Sequence, residues 1–148
     1  METTSINAYG VVQQLFTKWL QRLIQKRSNG MKQSNQEKGK FFEALVANMF
    51  NLFLDLTGRN RVKPMPGSGA FKGMKGDLIN VPKWLPFTVE CKDWTHSNVE
   101  IWWTQVKKEA QEMGTKPWLI FKSGSDEIIS VRYLEDDLKL LSKLKEGK

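Results

Sequence analysis

Glu90 and Lys92 stand two residues apart in the segment PFTVECKDW, and an acid and an amine at that spacing on a strand project from one face about 7 Å apart. Cys91 between them points the other way. A carboxylate and an ammonium set into an otherwise apolar strand are costly to bury without partners, so the pair calls for a ligand or a reaction. Asp77, near the start of the preceding strand-like run, supplies a second carboxylate if the two strands lie side by side as an antiparallel hairpin joined by NVPKWLP. Two such carboxylates make a notch for a hard divalent cation such as Mg²⁺. A cation held there suits phosphodiester hydrolysis, since it lowers the pKa of a water and polarises a phosphoryl oxygen. Lys92 beside the notch would position or deprotonate that water, or stabilise the charge growing on the phosphate. The sequence leaves these roles open.

The elements that must present these groups are legible from periodicity. Val11, Val12, Leu15, Phe16, Trp19, Leu20, Leu23 and Ile24 fall on one helical face, so an amphipathic helix is expected over 11–24. Its polar side carries Lys18, Arg22, Lys26 and Arg27, and a Gly, Asn and Ser-rich basic link follows. A second helix is expected from about Gly39 to Leu56, with Phe42, Leu45, Val46, Met49, Phe53 and Leu56 as its buried stripe and Gly58 closing it. Glu43 lies at the border of that stripe, where it can face a cleft; Glu37 is a rival for the same role. Arg61–Pro66 reads as extended, PGSGAFKG as a glycine-rich loop, and Asp77-Leu-Ile-Asn-Val and Pro86–Trp94 as strands. In the second of these Phe87, Val89 and Cys91 face one way and Thr88, Glu90 and Lys92 the other. Ser97-Asn-Val-Glu100 is a capping-box pattern opening a helix that stops at Gly114. PWLIFKS and IISVRY are strand-like around the turn GSDE, and LEDDLKLLSKLKEGK, with acids early and lysines late, suits a closing helix. The order α-α-β-β-β-α-β-β-α implies an α/β domain with a central mixed sheet flanked by helices. Residues 1–36 are expected to form the N-terminal helix and basic linker, and 37–148 the chemistry-bearing domain.

Composition narrows the classes. At 148 residues, 40% hydrophobic and 26% charged, the chain suits one compact globular domain. The net charge of +7 is uneven: residues 1–76 carry 12 Lys+Arg against 4 Asp+Glu, whereas 77–148 carry 11 against 12. No acid occurs between Thr3 and Gln36, and Arg59, Arg61, Lys63, Lys72 and Lys75 are unopposed from Leu56 to Gly76. Unopposed basic stretches suit a polyanion; a basic surface kept for solubility is the plainer account. No apolar run reaches the roughly 18 residues of a membrane span, and the N-terminus lacks the order of a signal peptide, so an intracellular protein is expected. Cys91 is the only cysteine and His96 the only histidine, which excludes an internal disulfide and a zinc site built on several His or Cys ligands. Cys91 reads as a core thiol. The glycine loop lacks the lysine-serine ending of a nucleotide-phosphate loop. Trp102, Trp103 and Trp118 fall in core-like patterns, and Trp94 is the tryptophan best placed to stack on a base. Gln105, on the helix after the Glu90 strand, can reach toward the acidic notch or simply be solvated. A second Glu-x-Lys, Glu146-Gly-Lys148, has no strand around it and reads as a charged tail.

An upstream helical glutamate, then Asp77, then Glu90-Cys91-Lys92 resembles the core of the PD-(D/E)XK nucleases. Within that superfamily the chain is similar to the archaeal-type Holliday junction resolvases, which also occur in phages and viruses. The likeness rests on Gly39-Lys40-Phe41-Phe42-Glu43, Pro66-Gly67-Ser68-Gly69 with the basic stretch after it, Lys75-Gly76-Asp77-Leu78-Ile79 and Thr88-Val89-Glu90-Cys91-Lys92, and spans about residues 38–122. It implies a restriction-endonuclease-like fold with Asp77 and Glu90 as metal ligands, Lys92 as the catalytic lysine and Glu43 completing the site. Ser68 would lie near the scissile phosphate, and Mg²⁺, or Mn²⁺ in its place, would be the cofactor. The resemblance further implies a homodimer acting on branched DNA in the cytoplasm of a prokaryotic host. Gly76 stands where the motif has Pro, and the N-terminal helix lies outside the likeness. Another endonuclease on the same core, or a DNA-binding module without catalysis, is the alternative.

Overall fold

The computed structural model describes residues 34–67, 73–93, 98–122 and 127–146, together with Gln14, Thr17, Lys18, Gln21, Arg22 and Gln25. The chain divides into two units, Met1–Ser34 and Asn35–Lys148. In the first, six of the seven described residues, from Gln14 to Gln25, are helical and exposed, within and just beyond the helix expected over 11–24, and Ser34 is exposed and outside any helix. That helix's apolar stripe lies outside the described residues.

The second unit runs α1 (Asn35–Phe53), a 3-10 turn (Gly58–Asn60), β1 (Lys63–Pro64), β2 (Leu78–Ile79), β3 (Phe87–Asp93), α2 (Val99–Met113), β4 (Lys116–Lys122), β5 (Ile128–Val131) and α3 (Leu134–Glu146). This is an α/β fold of the restriction-endonuclease type. β4 is the middle strand of a mixed sheet, parallel to β3 and antiparallel to β5, while β1 and β2 form a separate antiparallel ribbon. The parallel β3–β4 pair requires a crossover, and α2 provides it. Its inner face packs on the sheet: Val106, Leu119 and Phe121 form a buried core flanked by Trp102, Trp103 and Val131. Trp118 is half-buried among Phe50, Phe87 and the Arg132 guanidinium, which lies 4.4 Å from its ring.

Several boundaries differ from expectation for physical reasons. α1 starts at Asn35, not Gly39, and ends at Phe53. Its C-terminus is turned by Asp55, at φ 51, with Leu56 N–H donating to Asn51 O, so Gly58 opens the following 3-10 turn and does not close the helix. The buried face is Phe42, Leu45, Val46, Ala47, Phe50 and Asn51; Phe53 is 45% exposed because the helix has ended there. α2 is capped by Asn98, whose Oδ1 accepts from Ile101 N–H at 3.3 Å; it ends at Gly114 in the left-handed region, as expected. β3 does not alternate buried and open faces: Phe87 to Cys91 are all buried, because α1 and α2 both pack on it. Among the described residues no helix is long and apolar enough to cross a membrane.

Candidate active site

Asp77 sits at the crossing of the two sheets. β2 has its ladder with β1, and β3 has its ladder with β4, so the expected β2–β3 hairpin is reduced to one backbone bond, Asp77 N–H to Val89 O at 2.8 Å. Met65 N–H donates to Asp77 O on the other side, also at 2.8 Å, so the main chain of Asp77 is held from both directions. Gly76 makes the crossing possible. It has φ +87, and a Cβ there would lie 2.9 Å from Thr88 Cγ2 and 3.0 Å from Val89 O. Proline, locked near −65°, cannot adopt that angle, which explains why this chain departs from the literal motif.

The Asp77 carboxylate accepts from Cys91 N–H through Oδ2 at 2.8 Å, and Glu90 lines the same cavity. Glu90, only 3% exposed, receives Lys92 Nζ at 2.5 Å and Gln105 Nε2 at 2.9 Å, both on Oε1. The same amide of Gln105 donates to Glu109 Oε1 at 3.0 Å, and Glu109 Oε2 is buried with no partner. Glu43, Asp77, Glu90, Lys92, Gln105 and Glu109 line one cavity of about 350 Å³. Glu43 reaches it from α1 and Glu109 from α2; Glu37 is exposed and does not line it. A surface ion pair does not describe Glu90 and Lys92.

Gathering so many acids in one partly buried cavity raises their proton affinity. Burial, then Asp77, pushes the Glu90 carboxyl up to about 8. Burial, then Asp77, takes Glu43 to about 7, and burial also raises Asp77. For Lys92 burial acts against the charged form, but Glu90, Asp77 and Glu109 outweigh it and the pKa rises, so the amine is an ammonium at neutral pH. Cys91 is a buried thiol held well above its usual range by burial and the surrounding carboxylates, which leaves it inert.

Two ammonium groups, on Lys75 and Lys92, against the five carboxyl groups of Glu43, Asp77, Glu90, Asp93 and Glu109 leave room for a further cation. The donor set is all oxygen, which fits Mg²⁺ or Mn²⁺. Among the described residues the acids are not drawn around a single point, since Asp77 Oδ2 and Glu90 Oε1 are engaged by Cys91 and by Lys92 and Gln105. The orphaned Glu109 oxygen marks a place where positive charge is missing.

Of the expected DNA-binding residues, Arg59, Arg61 and Lys63 are exposed around β1, and Lys75 lines the cavity with Nζ 3.5 Å from Glu112. Ser68, Lys72 and Trp94 lie outside the described residues. Glu109 was not expected from the sequence, although it stands four residues after Gln105 and so on the same helical face. Asn51 was also missed: its side-chain amide pairs with both main-chain groups of Val62, at 2.7 and 2.9 Å, and ties the β1 segment to α1.

Residues 34–147 match the model of a family described as "Phage putative PDDEXK endonuclease". The chain belongs to that family. It carries the PD-(D/E)XK core of that family, in line with Asp77, Glu90 and Lys92 meeting in one cavity. A curated relative, "Protein D14" of Escherichia phage T5, is 32% identical over 106 residues, covering 60% of this chain and 64% of the relative. The chain thus spans just under two thirds of that relative's length. No solved structure matches.

Proposed function

We propose that this nuclease is a structure-selective endodeoxyribonuclease that resolves four-way DNA junctions by Mg²⁺-dependent hydrolysis, with Mn²⁺ able to substitute. The reading is carried by Glu43, Asp77 and Glu90 lining one cavity with the Lys92 ammonium 2.5 Å from Glu90 Oε1. Asp77 and Glu90 would hold the ion, and Glu43, across the cavity, would complete the set. Bound there, the ion supplies Lewis-acid charge and a nucleophilic water at neutral pH. Lys92 offers a fixed positive charge to the phosphate as negative charge accumulates on it. Gln105 and Glu109 keep Glu90 in place, because the Gln105 amide donates to both acids at once.

Selectivity for shape follows from how the protein would grip DNA. Arg59, Arg61 and Lys63 offer charge to phosphates, and contacts of that kind position a duplex without reading its sequence. Two opposed strands must be cut to resolve a junction, so the active form would be a homodimer. The test is to incubate the protein with a synthetic four-way junction and a linear duplex of matching sequence, with and without Mg²⁺. Metal-dependent cutting that favours the junction is expected. Equal cutting of both DNAs would remove the resolvase reading and leave a nuclease without junction preference.

A further inference from the structure

Trp84 is the one described tryptophan that stands clear of the protein. Trp102 and Trp103 pack on the core, and Trp118 is clasped by Phe50, Phe87 and Arg132, but Trp84 is 64% exposed. Its position is fixed by the chain around it. Leu85 N–H donates to Pro82 O at 2.8 Å and closes a tight turn with Lys83 and Trp84 at its two central positions. Leu85, the next residue, is buried and anchors the turn, while Phe87 N–H donates to Leu85 O at 2.7 Å and leads into β3. A large indole is thus held out in water on a pinned support.

The surroundings indicate what covers it. Lys83 is its exposed neighbour in the turn, and the adjoining ribbon presents Arg61, whose carbonyl accepts from Asn80 Nδ2 at 3.2 Å, and Lys63, paired in register with Ile79. Among the described residues no carboxylate forms an ion pair with Arg59, Arg61, Lys63 or Lys83. Protein interfaces are poor in lysine at their centres, whereas single-stranded nucleic acid is bound by aromatic platforms set in positive grooves. Trp84 lies five residues before Val89, the anchor of Asp77, so its Cα is at most about 18 Å from that point. With phosphates about 3.4 Å apart per strand, that is about five nucleotide steps or fewer from the carboxylates.

We infer that Trp84 is a base-stacking residue: its indole packs on the face of a base that has lost its stacking neighbour at a branch or gap, while Lys83, Lys63 and Arg61 take the adjoining phosphates. The inference rests on the nuclease reading and names the feature by which that site selects discontinuous DNA. It is tested by binding, apart from cleavage, in the full chain carrying Asp77→Asn. Fluorescence anisotropy would give the affinities of this protein, and of its W84A and W84F derivatives, for a four-way junction, a duplex with a short internal gap and a continuous duplex. W84A is expected to lower the ratio of gapped or branched to continuous affinity about tenfold, with W84F restoring most of it, since any aromatic face stacks. The tryptophan quenching produced by gapped DNA should be smaller in W84F than in its parent. The inference is overturned if W84A binds gapped and branched DNA within twofold of its parent, or weakens on all three DNAs by one factor. Failure of the nuclease reading would look different: the unsubstituted chain would cut none of these DNAs with Mg²⁺, whatever the binding ratios.

Discussion

Asp77, Glu43 and Glu90 all hold their protons more tightly in the folded protein than in water, with Glu43 near 7 and Glu90 near 8. The native state therefore binds more protons than the unfolded chain between the usual carboxylate value of about 4.5 and about 8. Stability of the metal-free protein should fall as pH rises through that window and level off above it. A divalent cation held by these acids would bind their ionised forms, so the gain in Tm on adding Mn²⁺ should be larger at pH 8 than at pH 5. Thermal melts in chelator and in Mn²⁺ at the two pH values check this; equal gains would argue against carboxylate ligation. Lys92→Met should lower the cleavage rate by about 10²–10³-fold, the usual worth of a fixed charge at a reacting group, while leaving a Mn²⁺-dependent Tm gain in place. Gly76→Ala should reduce both stability and cleavage, because a side chain at φ +87 meets Thr88 and the Val89 carbonyl. A loss of about 1–3 kcal/mol in denaturant melts is expected.

At the scale of elements, the site depends on how the β1–β2 ribbon is hung from the rest. One side is fixed by the Asp77–Val89 bond and the other by Asn51 on α1, whose amide replaces a strand partner for Val62. Asn51→Leu leaves two buried main-chain groups of Val62 without partners, and each costs about 1–3 kcal/mol. Urea unfolding should show a loss of about 2–4 kcal/mol, with cleavage falling as well, since the ribbon carries Asp77. An unchanged midpoint would show that water replaces the amide. The periodicity that places helices and strands does not reveal this tie, because a polar residue inside an apolar stripe reads locally as a flaw. The same limit hid the real end of α1. Gly58 is the obvious left-handed residue in the sequence, but Asp55 takes that role three positions earlier.

Over the whole molecule, the positive charge lies in the first half of the chain and the acids converge on one cavity in the second unit. Binding to DNA should therefore be steeply salt-dependent, and replacing Arg59, Arg61 or Lys63 with Ala should lower the slope of log affinity against log salt by about 0.9 for each phosphate that is no longer neutralised. The weakening should be similar for junction and duplex; a substitution that changed only one of them would be reading shape directly. In contrast, Trp84 is expected to distinguish the two, so the grip and the discrimination are separable.

The acid and amine of the candidate site and the α/β order were legible in the sequence, because a Glu-x-Lys on a strand, an Asp on the strand before and the 3.6- and 2-residue periods are all local patterns. Which acids share a cavity was decided by tertiary structure. Glu109 joins Glu90 through Gln105, and Glu37 is left outside, because α1 and α2 close over β3. The adjacency of Asp77 and Glu90 comes from a single backbone bond between two sheets, and the exposure of Trp84 from a turn anchored by Leu85. Interactions of that kind join residues far apart in the chain, and no local period encodes them.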